Sequence, residues 1–243
     1  MRMMTYNLRA GGKGKSHWSK IFDDFDPDIF LVQESYEPIE HLPPLVHGDR
    51  YRDACWKVVE GVKWGSAVCV KGKKVRLLEL PDFHGHVVGV AMESDAFEVS
   101  GGRPITFFSV HTPDRGGYQR AVHSILDMIA RYRGEGDVVI GGDFNLTVGE
   151  RLESESRKTS KADLEILSRL KDEFGVVSAW QAANVGSPLP QTLRWTKDNV
   201  TPYHCDGIFI PQRWVSRLSS CTVLSGPEWV ALSDHNPVLV EIV

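Results

Sequence analysis

The sequence predicts an α/β fold in which β-sheets pack on each other and helices lie outside them. Short runs rich in Val, Ile and Phe recur along its 243 residues, and two segments between them repeat apolar residues at helical spacing. No internal repeat, low-complexity tract or Pro/Ser-rich linker divides the chain, so one domain spanning residues 1–243 is expected.

In chain order, Met1–Asn7 and Asp28–Glu34 read as strands, separated by the helix-like stretch HWSKIFDDF. Gly65–Val70, Lys74–Leu80 and His86–Glu93 read as a meander whose turns fall at KGKK and PDFHG, where Gly, Pro and Asp favour chain reversal. Ile105–His111 follows as a strand. Tyr118, Val122, Ile125, Leu126 and Ile129 then share one face of a helix, because residues three and four apart lie above one another. Val138–Asp143 is the next strand, and Leu164, Leu167, Leu170 and Phe174 mark a second amphipathic surface helix. Asp206–Ile210 and Pro237–Val243 close the series.

Hydrophobic residues make up 42% and charged residues 25%, enough apolar side chain for a real core and a composition unlike that of disordered chains. No run approaches membrane-spanning length, and the apolar stretch at the N-terminus is too short for a secretory leader. Cys55, Cys69, Cys205 and Cys221 form no CxxC pair, which argues against a zinc knuckle or a disulfide framework and for a reducing, cytoplasmic setting. A net charge of −4 lacks the basic balance of proteins that coat nucleic acid. A nuclease remains compatible, since it needs only a local positive groove and bound metal.

The strand-like runs end in residues able to do chemistry: Asn7 in TYN, Glu34 in LVQES, His111 in SVHTPD, and Asp143 with Asn145 in GGDFN. Asp206 in YHCDGIF and Asp234 with His235 in LSDHNP complete the set. Strand ends are rigid supports for a site. These residue types suit phosphoryl transfer to water, which needs a hard cation, a nucleophile and neutralisation of charge on the phosphate oxygens. Mg²⁺ takes few carboxylate oxygens, so Glu34 and Asp234 are candidate ligands, with Asn7 or Asn145 as a neutral oxygen partner. The other reading of Glu34 is a salt bridge to a nearby Arg or Lys. Asp143 is the candidate proton acceptor and Asn145 the group that orients the attacking water, whereas GDFN read alone is a turn cap. Asp206 is placed to hold His235 in its charged form, and a cationic His235 stabilises the transition state. His111 either does the same or protonates the leaving oxygen.

Taken in order from residue 7 to residue 235, this motif series resembles that of the endonuclease/exonuclease/phosphatase superfamily. The resemblance implies a four-layer αββα sandwich, two mixed β-sheets flanked by helices, with a Mg²⁺ ion, or Mn²⁺ in its place, on Glu34. It also implies that Asp143 and Asn145 manage the nucleophile, that Asp206 pairs with His235, that Asp234 assists the metal and that Asn7 completes the phosphate or metal shell. His111 makes the chain similar to the two-histidine, deoxyribonuclease-like members rather than to abasic-site endonucleases, which carry Tyr and Asn in that stretch. One departure stands out: VKWGSAVCV offers Trp64 where deoxyribonuclease-like members partner the first histidine with a carboxylate.

Around this set, Arg9, Arg115 and Trp195 are candidate substrate contacts, with Arg120 and Arg194 as further phosphate clamps and Trp64 and Trp229 as stacking or core residues. GKGKS ends like a P-loop, but Arg9 stands where its opening glycine belongs, so Arg9–Lys15 reads as a basic loop beside Asn7. His17, His41, His84 and His123 lie outside the motifs and read as surface residues. The expected activity is a monomeric, divalent-metal-dependent phosphodiesterase or nuclease. A phosphomonoesterase or a sphingomyelinase-like phospholipid hydrolase is the alternative within enzymes, and a non-catalytic phosphate-binding module the alternative outside them.

Overall fold

The structure, a computed structural model, describes residues 1–41, 54–92, 97–195 and 198–243. Its first half runs β1 (Arg2–Gly11), α1 (Lys15–Asp24), β2 (Ile29–Ser35), α2 (Pro38–His41), β3 (Cys55–Val58), β4 (Gly65–Val70), β5 (Arg76–Leu77), β6 (Val87–Met92) and β7 (Ile105–His111). Then come α3 (Tyr118–Tyr132), β8 (Asp137–Asp143), α4 (Lys161–Phe174), β9 (Val176–Ser178) and α5 (Ala179–Ala183). The chain finishes with β10 (Leu193–Trp195), β11 (Asp198–Tyr203), β12 (Asp206–Pro211), β13 (Leu218–Val223), α6 (Pro227–Val230) and β14 (Val238–Ile242).

Two six-stranded sheets form, ordered β13-β14-β1-β2-β4-β3 and β5-β6-β7-β8-β12-β9. Each is mixed, with a parallel pair at its centre, β1 with β2 and β7 with β8, flanked by antiparallel neighbours. Side chains alternate across a strand, and here both faces are covered. Met3, Ile29 and Leu31 meet Phe107, Val139 and Ile208 between the sheets. Met4, Phe30 and Val32 point the other way, onto Trp18, Ile21 and Phe22 of α1. On the far side Val122, Ile125, Leu126 and Ile129 of α3, with Ile166 and Leu170 of α4, cover Phe108, Val138 and Ile140. Burial on both faces is why these strands read as continuous apolar runs, and the layers stack in the αββα order.

A buried polar link crosses the interface between the sheets. Gln33 on β2 donates to Ser109 Oγ on β7 at 2.9 Å, and Ser109 Oγ donates to the Val32 carbonyl at 2.9 Å. Above it the central strands end level with one another, Asn7 beside Gln33 and His111 beside Asp143. Gly142, just before Asp143, has φ +149, and an added Cβ there would lie 1.8 Å from the Val110 carbonyl oxygen. The glycine therefore lets β8 approach β7 closely enough to set Asp143 beside His111.

The central strands and both long helices lie where the sequence places them. The Lys74–Leu80 run shortens to the two-residue β5, and Glu93 lies outside the described residues. The short or half-exposed strands β3, β9, β10, β11 and β13 carry too little apolar alternation to be read. Arg9 and Ala10 belong to the end of β1 rather than to a loop. His84 is exposed and His123 half-buried against Arg169, while the side chain of His41 lies outside the described residues. His17 corrects the surface reading: it is fully buried, taking the Lys13 amide on Nδ1 at 2.7 Å and facing the Tyr6 hydroxyl at 3.3 Å.

Burial lowers the pKa of His17 from 6.5 to about 4, with Lys13 adding to the effect, and burial likewise lowers His204 to about 4. A histidine held neutral in the fold contributes stability that is fully present above its unfolded pKa and is lost as the medium acidifies toward its folded pKa. Unfolding free energy should therefore decline from about pH 6.5 to about pH 4, by up to about 1.4 kcal/mol per pH unit for each histidine. Denaturant melts across that window should give a shallower decline for His204→Gln than for the wild type. Equal slopes would exclude neutral burial of His204 as a source of acid lability.

Candidate active site

The carboxyl ends of the two parallel pairs meet at one end of the sandwich. Asn7 is fully buried there and gives one amide hydrogen to each sheet's carboxylate, Glu34 Oε1 at 3.1 Å and Asp143 Oδ2 at 3.0 Å. Its oxygen accepts the Arg9 amide at 2.9 Å, which fixes the orientation of the group. Asn7 thus stands between the carboxylates as a donor. Glu34 Oε2 accepts the Ala10 amide at 2.6 Å. Arg9, Ala10, Glu34 and Asn145 all hold positive φ, between 49° and 60°. Such left-handed backbone costs about 1–3 kcal/mol per residue and persists only where surrounding contacts impose it.

Asp143 is almost fully buried. Its Oδ1 accepts the Asn145 amide at 2.9 Å, and the Asn145 side chain donates to the Thr112 carbonyl at 3.0 Å. His235 lies between two carboxylates: Nδ1 contacts Asp206 at 2.9 and 3.0 Å, and Nε2 lies 3.7 Å from Asp143 Oδ2. Burial alone would lower the His235 pKa, but Asp206 and Asp143 outweigh it and hold the imidazole at about 10, charged at neutral pH. Burial raises the Asp143 carboxyl, and Asp206 adds to that, while His235 opposes it. Asp206 itself is anchored at the start of β12 by the Thr192 hydroxyl, which accepts the amides of Cys205 and Asp206.

The loop after α6 is braced from below. Ser233 Oγ donates to the Asn7 carbonyl at 2.9 Å and accepts the His235 amide at 3.1 Å. The Arg194 guanidinium, expected as a phosphate clamp, instead binds the Ser233 and His235 carbonyls and the Asn236 side chain. Asp234 is paired with the exposed Arg9, whose Nε is 3.3 Å away. His111 Nε2 lies 3.4 Å from Glu34 Oε1, and its buried Nδ1 has no hydrogen-bond partner among the described residues. Trp64 and His86 flank that ring, each with its centroid 5.5 Å away.

A cavity of about 550 Å³ opens over Glu34, His111, Asp143, Asn145 and His235, which with Trp195 makes six of the expected site residues in its lining. Trp195, 45% exposed, closes another side and meets Tyr203 edge to face at 6.1 Å. Arg115 does not join them: it lies over Phe83 and faces a neighbouring depression. Arg120 is exposed, and Trp229 is core, edge-on to Tyr6. Tyr118, Leu146, Tyr203 and Cys205 line the cavity unforeseen. Tyr118 carries the helical spacing of α3 and Leu146 follows Asn145, but nothing in either pattern separates a cavity wall from core.

A hard divalent cation fits this donor set. Glu34 offers carboxylate oxygens at the cavity wall, and the buried carboxylates of Asp143 and Asp206 lie close by, on either side of His235. Among the described residues, no helix is long and apolar enough to cross a membrane.

Comparison with known proteins follows the same lines. The structure is similar to the AP endonuclease LMAP from Leishmania major, at a TM-score of 0.72 and 15% identity over 98% of this chain and 86% of that one. It is also similar to the Neisseria 3′ phosphatase NExo bound to a product DNA hairpin, at 0.71 and 13% over 100% and 99%. The endonuclease domain of TRAS1, a telomere-specific non-LTR retrotransposon, gives 0.64 and 19% over 99% and 97%. In sequence, 138 residues are 28% identical to the Transposon TX1 uncharacterized 149 kDa protein of Xenopus laevis, covering 56% of this chain and 10% of that protein. The Endonuclease/Exonuclease/phosphatase family profile matches residues 4–235, nearly the whole chain, and the chain belongs to this family.

Proposed function

We propose that the chain is a divalent-metal-dependent phosphodiesterase that cuts nucleic acid by attack of an activated water. The observation that carries this reading is the placement of Asp143, reached by the Asn7 amide on one side and the His235 imidazolium on the other, at the wall of an open cavity. Glu34, with Asp234 beside Arg9, would hold Mg²⁺ or Mn²⁺. The ion would supply Lewis-acid neutralisation of the phosphate oxygens.

The rest falls to side chains of this chain. Asp143, made more basic by burial, takes the proton of the attacking water, and Asn145 sets that water's direction. The charged His235 stabilises the charge that grows on phosphate, and Asp206 fixes its ring. His111 turns Nε2 toward Glu34 and is placed to bind a phosphate oxygen. Arg9 at the rim and Trp195 against Tyr203 offer charge and an aromatic face to a polynucleotide. The DNA named for the NExo complex and the endonuclease activity named for the LMAP and TRAS1 proteins support nucleic acid as the substrate class.

A panel of single- and double-stranded DNA, an abasic-site duplex, RNA and an aryl phosphodiester, each with Mg²⁺ and with Mn²⁺, tests the reading. Asp143→Asn and His235→Ala should each lower kcat by about 10²- to 10⁴-fold with cooperative unfolding retained, the range that a positioned acid or base supplies. Turnover equal to wild type in both would remove the proposed roles.

Chelation by EDTA should abolish turnover and added Mg²⁺ restore it. Glu34→Gln should raise the Mg²⁺ concentration needed for half-maximal rate, about 10-fold or more. Activity that survives exhaustive chelation would refute a metal-dependent mechanism.

A further inference from the structure

Cys205 brings to the cavity a donor that water attack does not use. Its Sγ lies 3.6 Å from Asp206 Oδ2, and the residue lines the cavity with Asp143 and His235. The sulfur, one oxygen each of Asp143 and Asp206, and a ring nitrogen of His235 all lie within 4.8 Å of one another. All four residues are buried, and they come from three separate parts of the chain.

The frame that holds these donors is stiff. Asp206 sits directly opposite Asp143 in the β12–β8 ladder. The Phe144 amide donates to the Cys205 carbonyl at 2.9 Å, and Thr192 holds the Cys205 amide. His235 is fixed by Ser233 and Arg194 from beneath. Donors that are already convergent and braced lose little freedom on taking up an ion.

The donor set is wrong for Mg²⁺, which takes oxygen ligands in octahedral geometry and has no use for a thiol. It matches Zn²⁺, which takes sulfur, nitrogen and carboxylate oxygen together, four at a time. The geometry points to an inhibitory site here, in which Asp143, Cys205, Asp206 and His235 bind a thiophilic divalent cation, Zn²⁺ or Cd²⁺. The inhibition rests on the function proposed above, whereas the binding does not. On binding, the Cys205 S–H and one imidazolium N–H each release a proton to solvent as metal–sulfur and metal–nitrogen bonds form, with no change of oxidation state. The bound ion would engage the Asp143 carboxylate and the His235 ring on which the proposed water attack depends, so turnover stops.

Two readings of the full chain test this. In saturating Mg²⁺ with an aryl phosphodiester or DNA substrate, Zn²⁺ should inhibit the wild type. For Cys205→Ala and Cys205→Ser, each measured against its own uninhibited rate, the half-inhibiting Zn²⁺ concentration should rise about 100-fold, the upper end of what loss of a supporting group costs a metal site. Separately, Co²⁺ should give the near-ultraviolet thiolate charge-transfer band in the wild type and in neither variant. Cys55, Cys69 and Cys221 lie outside the cluster and remain in both variants as internal controls. Equal Zn²⁺ inhibition of all three proteins, or a Co²⁺ complex without a thiolate band in the wild type, would overturn the proposal. The cobalt spectrum decides the site even if turnover is absent, so it fails independently of the proposed function.

Discussion

One amide group joins the two halves of the sandwich at its working end. Asn7, on the first sheet, shares its two hydrogens between Glu34 of the same sheet and Asp143 of the other. A hydrogen bond to a charged acceptor contributes about 1.5–3 kcal/mol, more where water is excluded. That energy works against the repulsion of two carboxylates held close together. The Arg9 amide on the Asn7 oxygen removes the flip that would turn the lone pairs toward those carboxylates. Position and charge at the site therefore hang on a residue that touches no substrate in the proposed chemistry.

The positive φ values follow from the same crowding. Glu34, next to last in β2, and Asn145, two residues past the end of β8, both line the cavity from a left-handed backbone. Backbone hydrogen bonds from Ala10 to Glu34 and from Asn145 to Asp143 hold the strained residues in place. The buried Gln33 and Ser109 link below fixes the offset between the sheets. Stability gained in the core thus maintains unfavourable geometry at the rim.

His235 and His111 show how surroundings divide two imidazoles. His235 faces two buried carboxylates and carries charge. His111 has Trp64 and His86 against its ring and turns Nε2 toward Glu34. The neighbouring His86 is held neutral by burial, its pKa lowered to about 4. It supplies packing without the charge that an acid would give.

By itself the sequence determined the doubly covered central strands, the two long amphipathic helices and the motif order from Asn7 to His235, because burial on both faces and helical spacing leave marks within a few residues of each other. It also determined the kind of chemistry, since carboxylates and imidazoles at strand ends are visible as residue types. The edge strands left no such mark, and neither did the inward turn of His17, whose partner Tyr6 is met only when α1 folds onto β1. Only the tertiary structure decided that Arg194 is a brace, that Arg115 lies over Phe83, that Asn7 donates to a carboxylate of each sheet, and that Cys205 joins the cavity wall. Each of these depends on distances between groups far apart in the chain, set by sheet register and by the close approach of two strands at Gly142, which local sequence pattern does not encode.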